Sequence, residues 1–544
     1  MTENTADGKA LSGNGRSRGY LEEKGFRSWA LTLDHKRIGA LYLYTTLFFF
    51  LLGGIFALLM RIKLMYPGQQ IFSDQTYNVL FTLHGSVMIF LFIIPAIPSG
   101  MGNFFIPLLI GARDVAFPRI NLASYWIFVA GIIVIMGSLL RPMDTGWTFY
   151  TPYSAKTAAN VTLLSFGIFL IGMSSILTGL NFIVTIHKLR APGMTWHRLP
   201  LFIWGMYATS IIQVVATPVV GITFLLLAME RLFGVGFFDP AKGGDPLLFQ
   251  HFFWFYSHPV VYVMILPAMG IISEVIPVFS RKPIFGYKAI AYSSLAIAFI
   301  GFFVWGHHMF VSGMSKTASI IFSFLTFFVA VPTAVKVFNW IATMYKGSIT
   351  FESPMLYALT FIFLFTFGGL TGMFLGALAT NIHLHDTYFI VAHFHYTMVG
   401  GTVVGFLAGL HYWFPKMTGR MLSEKMARWG WLLTFIGFNV TFLVQFYLGY
   451  KGMPRRWAEY PPQYQSLNIV STVGSWIMAG GILIMVSNFI HGFFRGDPAP
   501  SNPWKGLTLE WQTASPPPTE NFETIPVVTD WPYAYAKRKT TGDG

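Results

Sequence analysis

The chain has 544 residues, of which 54% are hydrophobic and only 11% charged, and it contains no cysteine. The formal net charge of +14 does not indicate nucleic-acid binding, because the lysines and arginines lie mostly in short loops and at the termini, where they set topology and attract anionic lipid. Without cysteine, disulfides, iron–sulfur clusters and thiolate copper sites are excluded, so any metal must be held by histidine, carboxylate, tyrosine or backbone oxygen.

The first segment, 1–33, is polar and basic and has no apolar stretch of the kind that a signal peptide carries. We therefore predict a cytoplasmic N-terminal tail. The sequence Asp34-His35-Lys36-Arg37 then precedes the first apolar run, and such a basic cluster is typical of a cytoplasmic flank.

Repeated apolar runs longer than about 18 residues predict an all-α integral membrane protein. We predict twelve transmembrane helices within 34–495, near 38–62, 77–110, 122–140, 160–187, 200–229, 247–276, 287–311, 317–345, 355–380, 387–413, 427–448 and 468–493. An even number of spans puts both termini on one side, and the basic loops make that side the cytoplasm. The Pro-rich segment 496–544 has no further span and predicts a cytoplasmic C-terminal tail.

The strongest functional signal is the segment 381–396, which reads NIHLHDTYFIVAHFHY. His393 and His395 are two residues apart, so on a helix their side chains differ by about 200° in direction. This arrangement suits a helix that stands between two prosthetic groups and gives one axial ligand to each. Ionisable side chains inside a membrane are costly and usually functional.

Four more histidines, His84, His258, His307 and His308, fall in the same outer layer of the predicted bundle. The six imidazoles divide naturally. A bis-histidine haem takes His84 and one of the 393/395 pair, and a second haem with an open face takes the other. Which of the two serves which haem stays open on this reasoning. The remaining three suit a copper ion, and Tyr262, four residues after His258, projects from the same helix face and could donate a proton and an electron.

The motifs FTLHGSVMIF, GARDVAFPR, TGWTFY, WFYSHPVVYVMILP, WGHHMF, VPTAVKVFNW, HLHDTYFIVAHFHY and GMPRRW resemble subunit I of the haem–copper terminal oxidases, from Asp34 into the C-terminal tail. The resemblance implies the subunit I fold in a bacterial inner membrane. It implies His84 and His395 on a low-spin haem a, His393 on a high-spin haem a3, and His258, His307 and His308 on one copper (copper B). It also implies a covalent bond between Tyr262 and His258.

Other residues carry over by motif. His385 and Asp386 resemble magnesium ligands near the outer surface, where a hard cation accepts oxygen donors. The arginines of GMPRRW look like the pair that binds haem propionates, because planar guanidinium groups suit carboxylates. The resemblance implies that Arg455 and Arg456 bind haem propionates and that Trp147 and Arg61 contact the edge of the low-spin haem.

Two proton routes are implied by the same resemblance. Lys336 lies in the inner half of the eighth predicted span, with Thr333 on the same face, and these match the K pathway to the active-site tyrosine. Asp114, in an inside loop, matches the mouth of the D pathway, with Asn103 and Asn121 nearby.

One position departs from the pattern of many relatives. They read HPEVY, with a proton-carrying glutamate, whereas this chain reads HPVVY and has Val260. Tyr256 lies one helical turn earlier on the same face and is followed by Ser257. Our hypothesis is that this Tyr-Ser pair replaces the glutamate and that proton pumping survives.

The sequence thus predicts a terminal oxidase that reduces O2 to water with electrons from cytochrome c and pumps protons. Its expected partners are membrane lipid, subunit III and a subunit II with a dinuclear copper centre, which a chain without cysteine cannot hold. A quinol oxidase of the same superfamily is the nearest alternative. Nitric oxide reductase is less favoured, because its non-haem iron site requires a further glutamate rather than a phenol. A twelve-span transporter is also disfavoured, because it predicts internal repeats that are not visible in the sequence.

Overall fold

The computed structural model describes residues 19–535. In that range all regular structure is helical, and the only strand-like pairings are isolated bridges. Eleven helices are long and apolar enough to cross a membrane, and a shorter apolar helix completes the set that we number α1 to α12. In chain order they are α1 (His35–Lys63), α2 (Asp74–Ile110), α3 (Pro118–Leu140), α4 (Val161–Lys188), α5 (Leu201–Phe233), α6 (Pro246–Ser280), α7 (Tyr287–Gly301), α8 (Lys316–Met344), α9 (Ser353–Gly376), α10 (Tyr388–Thr418), α11 (Glu424–Tyr450) and α12 (Pro462–Arg495).

The seventh predicted span, 287–311, is the one that differs most from expectation. Its helix, α7, has only 15 residues and is followed by a 3-10 helix, Trp305–Met309. A helix of that length rises about 22 Å, less than the hydrocarbon thickness of a bilayer. The 3-10 helix continues the chain and carries His307 and His308. The other short helices in the described range are Phe26–Ala30, Tyr153–Lys156, Trp196–Arg198, Pro240–Lys242, Leu378–Leu384 and Leu509–Gln512.

Several long helices begin at a side-chain cap. The residue before the first turn accepts a hydrogen bond from a backbone N–H of that turn, which satisfies one of the donors left free at a helix start. This occurs at Asp34, Ser73, Asp245, Ser315 and Ser423. The caps therefore fix the starts of α1, α2, α6, α8 and α11.

The helices differ greatly in how deeply they lie in the bundle. In α6, 94% of the most apolar stretch is buried, whereas in α8 the corresponding share is 11%. The helix α6 is thus enclosed by the rest of the chain, with α5 packed along it, and α8 turns most of its surface outward. Residues that α6 carries are shielded from lipid, which suits a reactive centre.

Three stretches inside the spans are π-helical. Val87–Ile93 and Ala96–Gly102 interrupt α2, around Pro95 and Pro98, and Met398–Val403 interrupts α10. The first begins three residues after His84 and the third begins three residues after His395. Such turns are frequent at functional sites, and two of the three lie next to candidate ligands.

The C-terminal segment after Arg495 lies across one end of the bundle, which we call the tail face. The Tyr533 hydroxyl donates to Glu274 Oε1 at 2.7 Å and accepts from the backbone N–H of Leu201 at 2.7 Å. Lys416 Nζ donates to the Thr513 carbonyl at 2.6 Å. We call the opposite end, which carries 377–387 and 451–461, the loop face. The outer parts of the predicted tails, 1–18 and 536–544, lie outside the described residues, and the division of the chain into 1–33, 34–495 and 496–544 stays a prediction.

Candidate functional site

Three imidazoles meet at one point between α6 and the turn after α7. His258 comes from α6, and His307 and His308 come from the 3-10 helix. His308 Nε2 lies 3.1 Å from His307 Nε2 and 3.4 Å from His258 Nδ1. Nitrogen atoms that share a first-row metal ion at about 2 Å lie roughly 3.3 Å apart. The cluster is therefore spaced to hold one metal ion.

The orientation of these rings is fixed from outside the cluster. His307 Nδ1 donates to Thr326 Oγ1 at 3.0 Å, because that hydroxyl itself donates to the Phe322 carbonyl at 2.6 Å. The lone pair of His307 Nε2 is thereby left for a metal. The His308 ring stacks on Trp254, with ring centres 3.7 Å apart and planes 7° apart. Partners of this kind orient metal ligands and select their tautomer.

Tyr262 lies beside the cluster, one helical turn along α6. Its ring centre is 4.9 Å from that of His258. His258 Nδ1 faces the other two histidines, and Nε2 is buried without a hydrogen-bond partner. A buried polar atom without a partner needs an explanation. The ring thus offers one nitrogen to a metal and leaves the other free.

His84 and His395 face each other across a gap. Their ring centres are 6.4 Å apart, and the ring planes are 10° apart. Two iron–nitrogen bonds of about 2 Å, plus about 1 Å from each nitrogen to its ring centre, give nearly the same separation. His84 Nδ1 donates to the Gly53 carbonyl at 2.9 Å and His395 Nδ1 donates to the Val391 carbonyl at 2.8 Å. Each Nε2 is left available for a central iron.

His393 points to the other side of α10. Its Nδ1 donates to the Gly368 carbonyl of α9 at 3.0 Å. A Cβ added at Gly372 would lie 2.9 Å from His393 Cε1, so a glycine keeps room beside the imidazole. By contrast, the His395 ring stacks on Phe442 of α11, with centres 4.2 Å apart. The helix α10 thus separates two sites. Together, the six histidines described above fit two haems and one metal ion.

At the loop face, the predicted cation ligands and arginines form one group. Arg455 Nε donates to Asp386 Oδ1 at 2.7 Å, and His385 Nε2 is 3.7 Å from Asp386 Oδ2. Burial alone would raise the pKa of Asp386, but Arg455 and His385 hold it below its ordinary value. Burial also lowers the pKa of His385, so the ring offers a neutral nitrogen.

Two guanidinium groups have buried nitrogen atoms without a hydrogen-bond partner. Arg456 NH2 is buried without a partner, and burial beside Arg455 lowers the Arg456 pKa to about 10, which keeps the charge at neutral pH. Arg61 uses NH2 on Asn468 and Thr472, whereas its Nε and NH1 have no partner. Free, buried guanidinium donors fit an anionic or oxygen-bearing group. Trp147 makes an edge contact with Trp254 at 5.9 Å, which links it to the imidazole cluster.

Lys336 is buried in α8 and points toward α7. Its Nζ donates to Ser294 Oγ at 2.7 Å and to the Ile290 carbonyl at 3.0 Å. Thr333 donates to the Val329 carbonyl of its own helix at 2.8 Å. The lysine therefore has only neutral oxygen partners, and no carboxylate in the described residues pairs with it.

The second predicted route has its polar groups near the tail face. Asp114 lies in the loop between α2 and α3, and burial raises its pKa to about 7. Both side-chain polar atoms of Asn121 and the Oδ1 of Asn103 are buried without a partner. Farther along, Tyr256 and Ser257 are buried in α6 and make no hydrogen bond through their hydroxyls to another residue in 19–535. Val260, one turn on, is 2% exposed and purely apolar.

Sequence reasoning missed three residues that the structure makes prominent. Thr326 orients His307 from another span, and no spacing in the sequence links the two. Lys63 is anchored at the loop face by Glu459, Asp74 and the Gln69 carbonyl, contacts that join distant segments. Gln213, a buried amide in the middle of α5, could have been noticed as a polar side chain in an apolar span.

The fold and the site define the class of the protein. It is a polytopic helical membrane protein with a cluster of three imidazoles suited to a metal ion and two facing histidines spaced for a haem iron. The family profile described as Cytochrome C and Quinol oxidase polypeptide I matches residues 37–477. The chain belongs to this family and is the catalytic subunit of a haem–copper terminal oxidase, an oxidoreductase that works in a multi-subunit complex with haem and copper.

Relatives agree along almost the full length. Cytochrome c oxidase subunit 1 of Thermostichus vulcanus is 48% identical over 514 residues, which cover 94% of this chain and 93% of the relative. The protein of the same name from Synechocystis sp. is 47% identical, with 92% of each chain covered. A solved haem–copper terminal oxidase dimer has the same fold, with a TM-score of 0.75 at 20% identity, over 85% of this chain and 84% of that one.

Proposed function

We propose that this subunit reduces dioxygen to water with electrons from cytochrome c and couples the reaction to proton pumping. The observation that carries the proposal is the three-imidazole cluster of His258, His307 and His308 next to a helix that sends His393 and His395 to opposite sides. The relatives named cytochrome c oxidase subunit 1 support cytochrome c as the donor.

We assign each imidazole a role. His84 and His395 hold a low-spin haem a, His393 holds a high-spin haem a3, and the three clustered histidines hold one copper. When bound, the haem iron and copper supply the electrons that dioxygen needs. The protein contributes rigidity, because Gly53, Val391, Gly368 and Thr326 fix the ring tautomers through the hydrogen bonds described above.

Tyr262 serves as a proton and electron donor at the reacting site. We also propose that a ring carbon of Tyr262 becomes bonded to His258 Nε2, the buried nitrogen that lacks a partner. Forming this bond breaks the N–H bond of His258 and one ring C–H bond of Tyr262, and dioxygen accepts the two protons and two electrons that are released. The bond would fix the phenol close to the metal ligand.

Protons reach the site by two routes in this proposal. Thr333 and Lys336 lead to Tyr262, and the neutral partners of Lys336 leave its ammonium free to give up a proton. Asp114, Asn103 and Asn121 begin the second route, which ends at Tyr256 and Ser257 in place of the absent glutamate. The unpaired amide atoms of the two asparagines support this assignment, since water would satisfy them.

The loop face is the outer side in this proposal. His385 and Asp386 hold Mg²⁺ there, Arg455 and Arg456 bind haem propionates, and Arg61 and Trp147 touch the low-spin haem. A subunit II with a dinuclear copper centre and a subunit III complete the complex. The tail face is cytoplasmic, with 1–33 and 496–544 as tails on either side of a catalytic unit, 34–495, in a bacterial inner membrane.

The deciding experiment is the metal and haem content of the purified complex, measured with a carbon monoxide difference spectrum. We expect two A-type haems, one of which binds carbon monoxide, and three coppers. One copper would favour a quinol oxidase. Non-haem iron in place of copper would indicate a nitric oxide reductase, and folded protein without haem or metal would refute the proposal.

A further inference from the structure

Two small cavities inside the bundle adjoin each other between α4 and its neighbours, since three residues line both. Each has a volume of about 10 Å³, room for about one water molecule. Both cavities are lined by Ile94, Ile171 and Ser175. The first is also bordered by Tyr42, Ser174 and Gln213, and the second reaches Tyr256.

Hydrogen-bonded hydroxyls lead into the first cavity from the side of Asn121. Ser124 Oγ donates to the Asn121 carbonyl at 2.7 Å and lies 3.2 Å from the Tyr42 hydroxyl. That hydroxyl lies 3.0 Å from Ser174 Oγ. A line of polar groups therefore runs from the start of α3 to the wall of the first cavity. Among the residues that line the cavities, Ser175 is the polar one common to both, while Ser99 and Gln213 border the first cavity alone.

Gln213 borders the first cavity and contacts Ser175, which lines both cavities, and one half of its amide is unused. The side chain is 1% exposed, and Nε2 donates to Ser175 Oγ at 3.1 Å. Oε1 is buried without a partner. Gly179 makes the position possible, because a Cβ there would lie 3.3 Å from Oε1. Almost all buried polar atoms in proteins are hydrogen-bonded, so this acceptor needs a donor in the cavity that it borders.

We propose that Gln213 is a positioning residue that holds a proton-carrying water chain between the two cavities and aims it at Tyr256. A water in the first cavity donates to Oε1. Ser175 Oγ accepts from Nε2, so its own hydrogen is free to point into the second cavity. Each hop moves one proton from oxygen to oxygen, and the amide neither gains nor loses one.

The inference rests on the proposed proton route, and its test separates the two. In the complete complex in sealed vesicles, Gln213→Leu removes both polar atoms at similar volume. We expect loss of pumped protons per electron, turnover about tenfold slower, and unchanged haem and copper content. The control is Ser210→Ala in the same helix, since that hydroxyl donates to its own backbone at Met206 and borders neither cavity. Gln213→Glu keeps an oxygen acceptor and, with its carboxyl protonated, an O–H donor, so it should retain pumping.

Other outcomes are decisive as well. Normal pumping in Gln213→Leu would refute the inference and leave the oxidase assignment intact. A wild-type complex that does not reduce dioxygen would refute the proposed function, and one that reduces it without pumping would refute the proton route and this inference together. If Gln213→Leu fails to assemble, Ser175→Ala decides, because it removes only the hydroxyl between the cavities, and unchanged pumping there would contradict the proposal.

Discussion

The two halves of the bundle use buried polar groups in opposite ways. Toward the loop face, six imidazoles converge on a few points. A hydrogen bond or a stacked ring fixes five of them, which are His84, His307, His308, His393 and His395. Toward the tail face, amides and hydroxyls are strung out, and several of their atoms have no protein partner. Converging imidazoles with fixed tautomers suit metal binding, whereas amides and hydroxyls that are spaced apart and lack hydrogen-bond partners suit bound water.

The contrast also separates what each half requires of the chain. A metal centre needs ring nitrogens placed to within a few tenths of an ångström, so neighbouring helices must orient the rings. A proton path needs only polar atoms about one water apart. Substitutions of the converging imidazoles should therefore remove a cofactor, while those of the polar groups toward the tail face should slow proton transfer and leave the cofactors in place.

The largest effect is expected for His308→Asn. The variant removes one of three clustered nitrogens, so copper binding should be lost and dioxygen consumption should fall at least about a thousandfold. Copper content and oxygen uptake of the purified complex test this. His197→Asn is the control, because His197 pairs with Tyr292 away from the cluster. A copper-loaded, active His308→Asn complex would mean that the cluster is not the metal site.

Next comes the double variant Tyr256→Phe/Ser257→Ala. Tyr256 lines the second cavity, Ser257 follows it in α6, and the apolar Val260 offers no replacement. We expect haem and copper to remain, turnover to fall about 10- to 100-fold, and pumping to stop. Tyr357→Phe is a matched control, since that buried hydroxyl points at Met485 Sδ and touches neither cavity. Unchanged turnover and proton stoichiometry in the double variant would disprove the relay.

The fold was largely predictable because membrane spans leave a direct mark in the sequence. Long apolar runs placed eleven of the spans to within six residues at each end, and the resemblance supplied the family. The exception is α7, which ends at Gly301, well before the end of its apolar run. Hydropathy does not register that end, where the chain turns into the 3-10 helix of His307 and His308.

The site was predictable where one helix carries the pattern and unpredictable where several helices meet. The opposite directions of His393 and His395 follow from helical periodicity alone. The contact of Thr326 with His307, or of Gln213 with Ser175, depends on how two helices pack, which a single sequence does not encode locally. The ligand roles and proton routes stay predictions until the variants are measured.

A smaller effect, and one that depends on pH, is expected for Asp114→Asn. Burial raises the Asp114 pKa to about 7, above the value of about 3.9 in an unfolded chain. The folded protein holds this proton more tightly, so Asp114 reduces stability progressively as pH rises from about 4 to about 7. Asp114 should also stop donating protons when the solution at the tail face is above about pH 7, because its carboxyl group is then ionised.

Turnover and pumping against pH on the tail side measure this. Wild-type pumping should decline as pH rises through about 7, whereas Asp114→Asn should pump poorly at every pH and lose that step. Asp497→Asn, an exposed acid on the same face, serves as the control. If Asp114→Asn keeps the wild-type profile, the mouth of the route lies elsewhere.

The smallest effect, on stability alone, is expected for Lys63→Met. Lys63 Nζ lies 2.9 Å from Glu459 Oε1 and 3.1 Å from Asp74 Oδ1, and it donates to the Gln69 carbonyl at 2.7 Å. The ammonium thus ties the end of α1 to the start of α2 and to the loop of Arg455 and Arg456. Both carboxylates are partly exposed and screened by water, so the loss should be only about 1–2 kcal/mol.

Thermal release of haem is the measurement that suits this clamp. We expect Lys63→Met to lose haem at a temperature about 2–4 °C lower, with turnover at 25 °C within about twofold of wild type. High salt should narrow the difference, because it screens the partly exposed pair. Lys451→Met, an exposed lysine of the same face, should change nothing. Equal temperatures of haem release in all three proteins would mean that helix packing and ring contacts keep the loop-face end of the bundle rigid, without a contribution from the ion pairs of Lys63.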